Sequence, residues 1–258
     1  MAFEDELAFA ASLAGLADAI TGAAFERRCF VVEHKADATE VTDIDRECER
    51  VLAERIRSEF PTHAVLGEEH GHQGANDAEF TWLIDPIDGT SGFVRGLPVW
   101  ASLLALLHGD DVVVAMVSAP ALGGRWWATS GGGAFVAGRR CQVSTVDAIV
   151  DAQVSVTFDD GWRDLGLTGA LTDIQLDARR SRGFGDFWQH VLVAEGSLDV
   201  AVDAVGVAHY DLAAPMVVVE EAGGTFTDRL GNRTHAADTA ISSNGLLHAD
   251  VLARLATT

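Results

Sequence analysis

The chain has 258 residues, is 48% hydrophobic, and carries 39 acidic against 18 basic side chains, a formal net charge of −21. That length and apolar content suffice for one substantial core, whereas the net charge, with Arg139-Arg140 and Arg179-Arg180-Ser181-Arg182 the only dense basic spots, argues against a nucleic-acid partner, whose phosphates would need neutralising. The start, Met1-Ala2-Phe3-Glu4-Asp5-Glu6-Leu7, has no basic leader region and no uninterrupted apolar run of spanning length, so neither export nor a membrane anchor is expected.

No linker, repeat or low-complexity tract interrupts the chain, so one domain over residues 1–258 is expected. Helical patterning covers residues 3–28. Glu33-His34-Lys35-Ala36-Asp37 then holds the only lysine. Val41-Thr42-Asp43-Ile44-Asp45 leads into a helical pattern over 46–59, for which Asp43 and Asp45 are candidate caps. A short strand near 63–67 ends in Glu68-Glu69. The adjoining His70-Gly71-His72 reads as a polar loop rather than a zinc site.

The most informative segment follows a predicted strand at 80–85 and reads Asp85-Pro86-Ile87-Asp88-Gly89-Thr90. Two carboxylates three residues apart, with Pro86 fixing one dihedral between them, can be aimed at one point. Gly89 lets the chain bend tightly and brings backbone N–H groups to an anion, and the Thr90 hydroxyl can hold a metal or orient a water. Hard oxygen ligands of this kind suit Mg²⁺. An ordinary Asp/Pro/Gly turn is the competing reading.

Downstream, strands are expected near 100–107 and 112–119, joined as a hairpin through His108-Gly109-Asp110-Asp111, then near 125–129 and 134–137. A strand near 153–158, helices near 164–174 and 185–196, a strand near 198–203, a helix near 211–222 and a final strand and helix after Ala240 complete the pattern. This irregular alternation suits a layered α/β sandwich, two sheets between helical layers (α-β-α-β-α). Cys29, Cys48 and Cys141 have no metal-ligand spacing and form no even set, which fits a reducing cytoplasm.

The run Asp85–Thr90, with Val65-Leu66-Gly67-Glu68-Glu69, Val41–Asp45 and Asp211-Leu212-Ala213-Ala214-Pro215, resembles in order and spacing the signatures of the inositol-monophosphatase-like family of Mg²⁺-dependent phosphomonoesterases. The resemblance runs from about Leu7 to Leu252 and implies the layered sandwich of the inositol monophosphatase/fructose bisphosphatase type. It implies two or three Mg²⁺ ions, one on Glu68, Asp85 and the Ile87 carbonyl and another on Asp85, Asp88 and Asp211. Asp211 alone would read as a helix N-cap. The resemblance further implies a water positioned by Thr90 and Glu68, with Asp45 behind Thr90, attacking phosphorus without a covalent intermediate. Asp88 and the N–H groups of Gly89 and Thr90 would hold the phosphate, and the loop around Lys35 would close over the metals. Family members are commonly dimeric, so a homodimer is expected, and Trp126-Trp127 is a candidate interface pair or a core pair.

Gly183-Phe184-Gly185-Asp186-Phe187-Trp188 occupies the place of the family's substrate-facing helix. Asp186 among aromatics favours a cationic leaving group such as an amine or imidazolium, although a helix cap followed by core aromatics fits the same residues. Together with Arg95–Ser102, Val117–Ala121 and Arg125–Ala128, this segment resembles the actinobacterial histidinol-phosphate phosphatase branch, which implies L-histidinol phosphate as substrate. Two positions depart from the usual pattern: Tyr210 stands where the family most often has Trp, and Asp203 stands near the place where the family has a substrate-contacting Glu, at a different spacing from Asp211. Inositol 1-phosphate and fructose 1,6-bisphosphate are the alternative substrates, and no basic and aromatic set for a 3′-phosphonucleotide is evident. A non-enzymatic metal- or phosphate-binding regulator would be expected to lack one of the metal acids or Thr90, and all are present.

Overall fold

The computed structural model describes residues 3–35 and 39–256, in two compact units, residues 1–132 and 133–258. In the first, α1 (Glu4–Arg27) buries Phe9, Leu13, Ala17, Thr21 and Ala24, a stripe at helical spacing. By length and composition α1 could cross a membrane. Its buried face joins Leu52, Ile56, Trp82, Ile84, Leu104 and Met116 in one core, the setting of a helix packed through one face.

Strands β1 (Val32–His34) and β2 (Glu40–Thr42) pair antiparallel, and Ala36 and Asp37 of the expected Lys35 loop lie outside the described residues. Helix α2 (Asp43–Glu59) starts three residues before the apolar pattern suggested. The Thr42 hydroxyl accepts the N–H groups of Ile44 and Asp45, and the Asp45 carboxylate accepts the Thr42 N–H at 2.9 Å, a reciprocal cap. The strands that follow are β3 (Ala64–Gly67), β4 (Gly71–Gln73), β5 (Phe80–Asp88), β6 (Ala101–His108), β7 (Asp111–Ala119) and β8 (Gly124–Thr129). They lie in the order β8-β7-β6-β5-β3-β4, with β3 and β5 parallel and the other neighbours antiparallel. Helix α3 (Thr90–Arg95) leaves the end of β5. The β6–β7 hairpin falls where expected, closing at His108 and Asp111 around Gly109 with φ +60°. Trp126 is buried and Trp127 packs on the unit's own core, so the pair serves internal packing.

The second unit contains the hairpin β9 (Gly133–Val136) and β10 (Arg139–Arg140), then β11 (Gln153–Val156), α4 (Asp160–Asp164), α5 (Thr168–Asp177), β12 (Arg180–Arg182), α6 (Asp186–Ala194), β13 (Val200–Val202), α7 (His209–Glu221), β14 (Thr225–Thr227), β15 (Ile241–Ser243) and α8 (His248–Leu255). A five-stranded sheet runs β12-β11-β13-β15-β14, with β11 parallel to both neighbours and the remaining pairs antiparallel. Val154, Val156, Trp162, Ile174, Val200 and Ile241 fill its core. The helix expected at 164–174 is two helices, broken where Gly166 turns left-handed at φ +75°. Helix α7 is buried continuously from Leu212 to Val219, an interior helix apolar on all sides.

His248 is buried between Ser243 Oγ, 2.9 Å from Nδ1, and Thr227 Oγ1, 2.9 Å from Nε2. Thr227 gives its own proton to the Asp228 carbonyl, so Nε2 carries the hydrogen and Nδ1 accepts from Ser243, a neutral ring. Burial pushes its pKa down to about 4. The unfolded imidazole titrates near ~6.5, so the folded state binds fewer protons below that pH. The stability from keeping His248 neutral is complete above pH ~6.5 and is lost as pH falls toward 4, a loss of order ~3 kcal/mol. Thermal unfolding between pH 7.5 and 4.5 should show this fall, and His248→Gln should flatten it; an equally steep fall in the variant would rule His248 out as its source.

Candidate active site

The acidic motif is built by a slip in the sheet. Asp85 pairs with Leu103 on β6 but Asp88 pairs with Ala101, so one extra residue bulges out of β5. Pro86 explains the slip: it has no N–H for the ladder, and its carbonyl is taken instead by the Ser102 hydroxyl at 2.6 Å. Asp85, buried, accepts the Ile87 N–H at 2.9 Å, which turns the chain back on itself. The Ile87 side chain is anchored in a small core with Ala24, Phe93 and Trp100. Oxygens of Asp85 and Asp88 then lie within 4.8 Å of each other. Gly89 takes φ +83°, and Thr90 opens α3 with its hydroxyl donating to the Ile87 carbonyl at 2.8 Å.

Asp45 stands behind Thr90, its Oδ1 3.4 Å from the Thr90 hydroxyl. Burial raises its pKa to about 6, against the bonds from Thr42 and with help from the charges of Glu68 and Glu69. Glu68 follows β3, and its N–H bonds the Ile84 carbonyl at 3.2 Å, which extends the parallel ladder and sets Glu68 beside Asp85. The Lys35 ammonium reaches both Glu68 (2.7 Å) and Glu69 (2.6 Å). Burial opposes the Lys35 charge, but the two carboxylates outweigh it and hold the ammonium well above its ordinary pKa. Burial likewise pushes the Glu69 carboxyl up. Charge and donor type both fit a hard cation: carboxylates gathered at strand ends, with an ammonium already drawn to two of them.

The second unit carries the other expected residues. Asp211 is the third residue of α7 rather than its opening residue, because the helix starts at His209 and Asp211 reaches back to accept the Ala208 N–H at 2.7 Å. Asp186 begins α6 in the left-handed region at φ +49°, preceded by Gly185 at φ +72°. Although Asp186 keeps access to solvent, burial of its carboxyl raises its pKa, with the Asp203 charge adding and His190 opposing. Asp203 is buried, 2.9 Å from His190 Nε2, and accepts the Ala204 N–H at 2.8 Å. His190 Nδ1 in turn lies 2.8 Å from Ser242 Oγ. Phe184 and Trp188 meet edge to face at 4.9 Å beside Asp186. Sequence reading missed Glu49 and His190, each four residues after an expected site acid, Asp45 and Asp186, and so on the same helix face.

Carboxylates poised over a glycine turn, with a threonine hydroxyl among them, define a phosphate-ester hydrolase. The chain belongs to the inositol monophosphatase family, whose model matches residues 4–257, and it is a phosphoric monoester hydrolase. It is 39% identical to a histidinol-phosphatase of Streptomyces coelicolor, over 97% of both chains. It is 41% identical to one of Mycobacterium tuberculosis, over 97% of this chain and 98% of that one. Among solved structures it matches an IMPase of Thermotoga maritima at a TM-score of 0.87 and 31% identity, covering 97% and 96% of the two chains. The layered α/β fold expected from the sequence is the fold of that structure.

Gly89→Ala tests the turn. A Cβ at φ +83° costs about 1 kcal/mol and displaces Asp88 and Thr90, so phosphate release should fall at least about tenfold with a small drop in melting temperature. Unchanged turnover would show that the left-handed turn is not required.

Proposed function

We propose that this phosphatase hydrolyses L-histidinol phosphate to L-histidinol and inorganic phosphate, using Mg²⁺, as one domain that spans both units. The observation that carries the substrate is full-length similarity at 39% and 41% identity to two proteins named histidinol-phosphatase. The acids fit that reading: Asp186, Asp203 and the rings of Phe184 and Trp188 offer a cation negative charge and π faces.

In this reading Glu68, Asp85, Asp88, Asp211 and the Ile87 carbonyl hold two or three Mg²⁺ ions. Bound there, the ions would neutralise phosphoryl oxygens and supply hydroxide near neutral pH. Asp88 and the N–H groups of Gly89 and Thr90 orient the phosphate. The Thr90 hydroxyl has one proton, which goes to Ile87 O at 2.8 Å, with Asp45 at 3.4 Å as the alternative acceptor. When the Ile87 carbonyl is engaged elsewhere, the proton turns to Asp45, and the Thr90 lone pairs with Glu68 orient the attacking water. A cytoplasmic location and a homodimer complete the proposal. The homodimer follows family habit, and the location follows from three cysteines that form no even set and have no metal-ligand spacing.

The discriminating experiment measures phosphate release with Mg²⁺ on L-histidinol phosphate, inositol 1-phosphate, fructose 1,6-bisphosphate and 3′-phosphoadenosine 5′-phosphate in parallel. A kcat/KM for histidinol phosphate above the others by about 100-fold, ~2.7 kcal/mol of discrimination, is expected. Comparable rates on inositol 1-phosphate would favour the broader activity named for a Thermotoga maritima relative, a fructose-1,6-bisphosphatase/inositol-1-monophosphatase 33% identical over 82% of this chain. Asp88→Asn should abolish turnover of every ester with the fold intact. Asp186→Ala should lower kcat/KM about tenfold or more for histidinol phosphate alone, and an equal loss on inositol 1-phosphate would overturn the cation-recognition argument.

A further inference from the structure

Glu49 is a completely buried carboxylate one helical turn beyond Asp45 on α2, with no Lys or Arg bonded to it among the described residues. It takes its hydrogen bonds from the turn after β3: the Glu69 N–H at 2.7 Å, the His70 N–H at 2.9 Å and the His70 ring Nδ1 at 3.0 Å. On the other side of that turn a Cβ placed on Gly67 would fall 2.1 Å from the Glu49 carboxyl carbon, so the carboxylate fills the space a side chain at 67 would need. Residues 67, 69 and 70 are thus all shaped by Glu49. The residue held among them is Glu68.

We infer that Glu49 is the positioning residue for Glu68: its carboxylate folds the β3 turn so that the Glu68 side chain is aimed before any cation arrives. Burying an anion is costly unless its oxygens are satisfied, and a solvent-facing turn would need no such device. The inference rests on the proposal that Glu68 is a metal ligand. Removal of groups that orient a ligand typically weakens metal binding about 10- to 100-fold.

The test is the Mg²⁺ dissociation constant of the full chain by isothermal titration calorimetry, without substrate, alongside melting temperature. Glu49→Ala and Gly67→Ala should each weaken Mg²⁺ binding about tenfold or more. The double variant should be no weaker than Glu49→Ala, because removing the carboxyl makes room for the new Cβ. Glu49→Gln, isosteric, covers the case in which an alanine variant fails to fold, and should weaken binding severalfold. Glu68→Gln is the control. If it weakens binding while folded Glu49 variants keep the wild-type constant and lose only melting temperature, Glu49 is merely structural and the inference is overturned. If Glu68→Gln itself binds Mg²⁺ normally, the assignment of Glu68 as a ligand fails instead.

Discussion

Mutual repulsion of carboxylates is the constraint around which the first unit is organised. Asp45, Glu49, Glu68, Glu69, Asp85 and Asp88 sit on adjoining elements of a chain already at −21. The structure meets the repulsion in two ways. Asp45, Glu49 and Asp85 each accept a backbone N–H, from Thr42, from Glu69 and His70, and from Ile87. In the second unit Asp203 and Asp211 do the same with Ala204 and Ala208. Such dipoles stabilise an anion and fix its direction but leave its charge in place for a ligand. Glu68 and Glu69 are held differently, by the mobile-charge solution of one shared ammonium, Lys35. Backbone-held acids keep their orientation whatever binds. The Lys35 contact instead depends on one flexible side chain shared by two carboxylates.

Burial works against this arrangement, and the pKa directions record where it wins. Asp45 and Glu69 are pushed up despite their bonds. Neighbouring negative charge adds to the burial cost at both. A cation bound beside them would offset the charge repulsion at both.

Much of this was legible in the sequence because the motif acts locally. Asp85 to Thr90 specify their own turn: a proline that fixes one dihedral between two acids, and a glycine that lets the chain bend tightly. Long apolar strands such as Leu103–Leu107 were equally plain, since burial on both faces leaves a continuous run. The bulge at Pro86 was not legible, because a register shift is a property of two strands and appears in neither alone. Segments β1, β4, β10 and β12 are two or three residues long, too short for any period. Glu49 and His190 were hidden because a buried polar residue on an amphipathic helix looks like a solvated one until its neighbours are known. Their spacing of four from Asp45 and Asp186 was the available signal.

Selectivity has a different physical origin from hydrolysis. Asp186 sits at φ +49°, a conformation that costs a residue with a Cβ about 1 kcal/mol and that Asp tolerates better than most. Asp203 is locked by His190, which is itself tied to Ser242, so it cannot turn away from the Asp186 charge. Burial of the Asp186 carboxyl raises its pKa, and the Asp203 charge adds to that rise while His190 opposes it. A neutral alcohol gains nothing from that repulsion. A cationic alcohol such as the proposed histidinol resolves it, keeps Asp186 ionised and recovers the repulsion as binding energy. In the proposed reading, a cationic ligand would therefore act by offsetting the burial of Asp186 and its repulsion from Asp203 together.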